Sequence, residues 1–179
     1  MNLSRIFSGL LAAALLISGA TDAQAQSRRP PQISSLGETK CRGVQGSGFY
    51  RAINEEIPIS REIFRAIGIM ATHAGWISKK KPVELVCQLS TPNQPPRFKS
   101  LTLAFGLSDD SYQVDSVTVR LSVYKDGNFY QSQTVAKGDK IIWPIDVQNT
   151  RNLALEAECI SSQSSRSCPG LYFFEDVLQ

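Results

Sequence analysis

Residues 116–135 read SVTVRLSVYKDGNFYQSQTV, and this stretch decides the fold class. Val117, Val119, Leu121 and Val123 alternate with Thr118, Arg120, Ser122 and Tyr124. A period of two puts the apolar set on one face of a strand and the polar set on the other. Lys125-Asp126-Gly127-Asn128 follows, and an Asp-Gly pair supplies the positive φ angles of a tight turn. The expectation is an antiparallel hairpin of residues 116–124 and 129–135.

Toward the C-terminus the same period recurs. Ile141, Trp143, Ile145 and Val147 fall on one face, with Ile142, Pro144 and Asp146 on the other. Pro144 has no N–H to give a neighbour, which marks an edge or bulged strand. Leu153, Leu155, Ala157 and Cys159 alternate with Ala154, Glu156 and Glu158, and Leu171–Leu178 closes the series. Before residue 100, residues 48–53 and 83–89 read as strands, and 101–107 follows. Residues 60–70 are ambiguous, because Ile63, Phe64, Ile67 and Met70 also fit a helical spacing behind Ser60 as cap; the reading taken is a strand. Eight or nine short strands joined by turns predict an all-β chain, an antiparallel β-sandwich of which a jelly roll is one form.

The first 25 residues read as a cleavable secretory signal: Arg5, an apolar stretch from Ile6 to Ile17, then Ala23-Gln24-Ala25 before the cleavage point. The apolar stretch is well short of the roughly 20 residues of a membrane-spanning helix, and no later stretch is a candidate span. Residues 26–40, rich in Ser, Arg, Pro and Gln at their start, read as a flexible lead-in, and 41–179 as one domain with a full core. The expected location is secreted or periplasmic.

Net charge is +3, with 19 Lys and Arg against 16 Asp and Glu scattered along the chain, which lacks the clustered basic face a nucleic-acid partner requires. Lys79, Lys80 and Lys81 precede Pro82 and read as a solvated turn. Cys41, Cys87, Cys159 and Cys168 all follow the signal, and an even count in an exported chain implies two disulfides. Three pairings are possible. Cys159 with Cys168 is favoured because the polar residues between them would otherwise be a loose loop, leaving Cys41 with Cys87. With one histidine, His73, and no C-x-x-C pair, a zinc site is excluded on spacing.

No nucleophile elbow, metalloprotease helix or phosphate-cradling loop is present. Adjacent carboxylates such as Asp109 with Asp110 or Glu175 with Asp176 point to opposite strand faces and make a poor acid–base pair. The expectation is therefore no enzyme. Saccharides are held by aromatic rings against their C–H faces and by polar groups on their hydroxyls. Trp143, on the apolar face of its strand, reads as core. Trp76, after His73-Ala74-Gly75 and before the lysines, is left open between core and ligand platform.

Several segments together resemble the NPCBM domains, the novel putative carbohydrate-binding modules. These are Gly68-Ile69-Met70-Ala71-Thr72-His73-Ala74; Phe105-Gly106-Leu107-Ser108-Asp109-Asp110-Ser111; Tyr124-Lys125-Asp126-Gly127 with Ser132; Asp146 to Leu155; and Phe173 to Leu178. The match runs in order over roughly residues 47–178. It implies a galactose-binding-like jelly roll, galactose-type sugar as ligand in some members, and a structural calcium ion common in the wider fold. Where the family closes with aspartate and tryptophan this chain has Tyr172 and Phe173, and Glu175 alone keeps the acid. The expected ligand contacts are His73, Trp76, Tyr172 and Glu175, with Glu175 also the candidate calcium ligand. The expected function is an exported, lectin-like, non-catalytic carbohydrate-binding module; the alternative is a disulfide-stapled envelope protein that engages another protein.

Overall fold

The structure is a computed structural model that describes residues 33–44, 48–110, 116–161 and 167–179. The expected signal peptide, residues 1–25, lies outside these. In chain order the strands are β1 (Ser34–Ser35), β2 (Lys40–Gly43), β3 (Phe49–Ile59), β4 (Glu62–Ala71), β5 (Trp76–Ser78), β6 (Val83–Gln88) and β7 (Ser100–Gly106). They continue with β8 (Thr118–Lys125), β9 (Asn128–Ala136), β10 (Lys140–Asp146), β11 (Asn152–Ser161), β12 (Ser167–Pro169) and β13 (Leu171–Leu178).

One sheet has the order β10-β7-β13-β4-β3, with β1 added to β13; the other has the order β2-β6-β11-β8-β9. All the strand ladders are antiparallel. The two sheets face each other across one core. Leu101, Leu103 and Phe105 of β7, Trp143 and Ile145 of β10 and Phe173 of β13 meet Val119, Leu121 and Val123 of β8 and Leu153, Leu155 and Ala157 of β11. This is the antiparallel β-sandwich that the alternation predicts. β8 and β9 form the expected hairpin, turned by Asp126 and Gly127 at φ 48° and 84°. Pro144 sits in β10, an edge strand, where its missing N–H breaks no ladder.

The ambiguous stretch forms a strand, β4, over Glu62–Ala71. Its last four residues, Gly68 to Ala71, are all buried, because this end of the strand is covered on both faces. That removes the alternation a half-buried strand displays. Ser60 is no helix cap: Ser60 and Arg61, at φ 54° and 67°, form the two-residue turn between β3 and β4. The outer half of this hairpin leaves the sheet. Pairing of β4 with β13 stops at Gly68↔Phe173, and Ile57, Ile59 and Ala66 form a second small core with Phe64, Tyr172 and Phe174. Tyr172 alternates with the core-facing Leu171 and Phe173 and so lies on the sheet's outward face.

The described part of the expected lead-in belongs to the domain. Ser34 and Ser35 pair with Leu178 and Val177, a 3-10 turn follows at Leu36–Glu38 with a capping box between Ser35 and Glu38, and Leu36 is fully buried. One apolar residue among polar neighbours is enough to anchor it when a strand edge is available for pairing.

Disulfides join Cys41 to Cys87 and Cys159 to Cys168. Cys41 and Cys87 are cross-strand partners on β2 and β6. Cys168 of β12 is tied back to β11, and among the described residues β12 pairs only with β5.

Beyond Phe173 a bulge in β13 changes the phase of the strand, so that Asp176, not Glu175, turns inward. Asp176 is 1% exposed. Its Oδ2 accepts hydrogen bonds from Tyr50 Oη (2.5 Å), Ser35 Oγ (2.8 Å) and the Gly37 amide (3.1 Å). The Tyr50 ring crosses the sheet over Gly68, where a Cβ would lie 2.3 Å from the phenol oxygen. Burial, then the Asp176 charge and hydrogen bond, push the Tyr50 phenol far above its ordinary value.

Candidate ligand-binding site

Trp76 opens β5, a strand three residues long. Gly75, at φ +80°, makes the turn before it, a conformation open to glycine at no steric cost. The turn closes with Gly75 N–H donating to Thr72 O and Thr72 N–H donating to Trp76 O, each at 2.9 Å. On the other side β12 pairs with β5 in the register Pro169↔Trp76 and Cys168↔Ile77, and the Gly170 amide donates to Gly75 O at 2.9 Å. With Ile77 fully buried, the neighbouring Trp76 side chain points the opposite way and is half-buried.

Trp76 and Tyr172 line one cleft of about 400 Å³. Pro169 and Gly170 join them from the β12–β13 link, Glu56 from the outer half of β3, and Ser108 and Asp110 from the segment leaving β7. The Asp110 amide donates to Ser108 Oγ at 3.2 Å, which fixes the backbone beside the cleft. Tyr172 is half-buried. Burial, then the nearby Glu55 carboxylate, raise its phenol above the ordinary value, and Arg51 opposes them. The Tyr172 hydroxyl thus keeps its proton and stays a hydrogen-bond donor. The lining offers two aromatic faces, two carboxylate acceptors and the hydroxyls of Ser108 and Tyr172, in a volume suited to a small ligand.

Of the four residues expected to bind ligand, the structure brings two together, Trp76 and Tyr172. His73 is exposed in the turn after β4, with its ring against Phe49 (centroids 5.0 Å apart), and is not among the residues lining the cleft. Glu175 lies past the β13 bulge, opposite Ala104, and does not line it either. Among the described residues no group of three or more His, Cys, Asp or Glu side chains is placed to hold a metal ion, and Glu175 stands in no such group. Glu56 carries no signal in the sequence as a site residue; Ser108 and Asp110 stand in one of the segments that carry the resemblance, without a ligand role assigned to them there. The lysine cluster is the exposed turn between β5 and β6.

Neither a family model nor a curated protein matches this sequence. Solved structures do. The CBM51 module from Clostridium perfringens GH95, in complex with methyl-galactose, is 13% identical with a TM-score of 0.58, over 83% of this chain and 100% of that one. CBM51-2 in complex with GlcNAc, with the INT domains of Clostridium perfringens ZmpB, is 14% identical with a TM-score of 0.57, over 82% of this chain and 31% of that one. The M60 catalytic domain of ZmpB with CBM51-1 and CBM51-2 is 15% identical with a TM-score of 0.58, and this chain covers 15% of it. The chain thus spans under a third of the ZmpB chains and the full length of the isolated module. The likeness reaches the fold and stops short of the NPCBM family: this chain is an all-β, galactose-binding-like sandwich of the architecture found in carbohydrate-binding modules.

Proposed function

We propose that this chain is an exported, lectin-like module that binds a saccharide, without breaking bonds in it, in the cleft between Trp76 and Tyr172. The observation that carries the reading is the meeting of two half-buried aromatic side chains with Glu56, Asp110 and Ser108 in one small cleft. Each aromatic ring covers a sugar C–H face, and the carboxylates accept hydroxyl protons through charge-assisted hydrogen bonds. The sugars bound by the structural neighbours, methyl-galactose and GlcNAc, make galactosides and N-acetylhexosamines the first ligands to try. That choice rests on analogy of fold. Two disulfides and a leading signal-like segment are in keeping with work outside the cytoplasm.

Isothermal titration with methyl-galactoside and GlcNAc, backed by a broad glycan array, tests the reading. Trp76→Ala is expected to weaken binding by tenfold or more, about 1.4 kcal/mol, with no loss of fold by circular dichroism. A folded wild-type protein that binds nothing on the array, or a Trp76→Ala variant with unchanged affinity, overturns it.

A further inference from the structure

We infer a second saccharide site, on the outward face of the β2-β6-β11-β8-β9 sheet, formed by Tyr124, Glu84, Glu156 and Asn152 over a floor of Val86 and Ala154. It is independent of the cleft at Trp76 and takes a neutral, hydroxyl-rich sugar chain.

The register builds this site. Leu85, Leu155 and Val123 turn into the core, so their neighbours in sequence point outward. Val86, Ala154 and Tyr124 are cross-strand partners in one row, and Glu84, Glu156 and Ser122 are partners in the next. Short side chains at Val86 and Ala154 beside the long Tyr124 leave a recess of about 360 Å³, closed at one end by Gly127 and Asn152.

The Tyr124 ring is held in place. Its hydroxyl donates to Glu156 Oε1 at 3.2 Å, and its ring packs edge-on against Phe129, centroids 5.7 Å apart. The phenol lies near both carboxylates: burial, Glu156 and Glu84 raise its pKa, and Arg120 opposes them. Arg120 is itself paired with Glu158, one row further along the sheet. Phe129, exposed on the adjoining strand, extends the aromatic wall.

The chemistry selects the ligand. Glu84 and Glu156 stand directly opposite each other on the outward face. The lining holds two carboxylates, one phenol and one carboxamide, with Arg42 beside Val86 at the margin of the same row. Such a recess accepts hydrogen bonds and offers a ring face. It suits a polyol that donates hydroxyls and lays C–H groups on Tyr124, in preference to a uronic or sialic acid whose carboxylate would face Glu84 and Glu156. Aromatic faces beside two carboxylates also line the cleft at Trp76.

The test uses the Trp76→Ala variant, in which the first cleft is disabled, so the two readings fail separately. It is screened on an array of neutral and uronic-acid trisaccharides, and a hit is mapped by amide chemical shifts. The expected result is binding of a neutral trisaccharide with shifts at Val86, Ala154 and Glu156. Tyr124→Ala in the same background should weaken it about fivefold to tenfold, and Glu84→Gln should weaken it without unfolding the sheet. Silence across the array overturns the second site while leaving the first intact. Shifts at Val86 and Ala154 produced instead by uronic acids or by a lysine tripeptide overturn the assignment of a neutral sugar.

Discussion

Replacing Tyr50 by Phe removes one oxygen and tests the buried network that joins the first and last strands. The Asp176 carboxylate has three donors on Oδ2, while its Oδ1 is buried with no partner among the described residues. Loss of the Tyr50 hydroxyl leaves a 1% exposed carboxylate with Ser35 Oγ and the Gly37 amide alone. A hydrogen bond to a charged group contributes about 1.5–3 kcal/mol. For a domain of this size each kcal/mol moves the melting temperature by about 2–4 °C, so the variant should melt roughly 3–12 °C below wild type at pH 7. The pH profile gives a second readout. Burial and Asp176 raise the folded-state phenol above its unfolded value near 10, so the folded protein holds this proton after the unfolded chain has lost it. Its contribution to stability is complete below about pH 10 and declines as pH rises beyond, by up to about 1.4 kcal/mol per pH unit. Chemical denaturation of wild type and Tyr50→Phe between pH 8 and 11 should show the alkaline decline reduced in the variant. A loss under about 0.5 kcal/mol at pH 7, together with an unchanged alkaline slope, would mean that the Tyr50 hydroxyl does not support Asp176.

The two disulfides should separate stability from binding. Loop-closure entropy favours the Cys41–Cys87 bridge, with a sequence separation of 46, over Cys159–Cys168, with 9, by roughly 4 against 3 kcal/mol. The Cys41→Ala/Cys87→Ala pair should therefore lower the denaturation midpoint more yet leave saccharide affinity unchanged. Cys159→Ala/Cys168→Ala should cost less stability but weaken binding, because β12 holds Trp76 through Pro169.

The sandwich was legible where a strand has one wet face. Val117 to Val123 and Leu153 to Cys159 alternate because their outward neighbours, Ser122 apart, are at least partly solvated. β4 was read as a strand only against a competing helical spacing, because its end is covered on both sides and its apolar run also fits a helix face. Phase changes were also hidden: the bulge in β13 exchanges the roles of Glu175 and Asp176, and composition holds no mark of it. Trp76 and Tyr172 could be chosen as aromatics with room for a ligand, yet their meeting depends on a three-residue ribbon and a bridge from Cys168. Glu56 reaches the cleft only because the tip of the β3–β4 hairpin leaves its sheet, a tertiary event with no local signal.

The pairing of Ser35 with Val177 brings the start and finish of the folded domain to one corner. Tyr172 stands six residues before Leu178 on the same strand, so the cleft opens roughly 20 Å away. A linker, bead or biotin attached at either end of the domain should leave Trp76 and Tyr172 facing outward. Orientation on a surface is thus built into the way the first strand closes on the last.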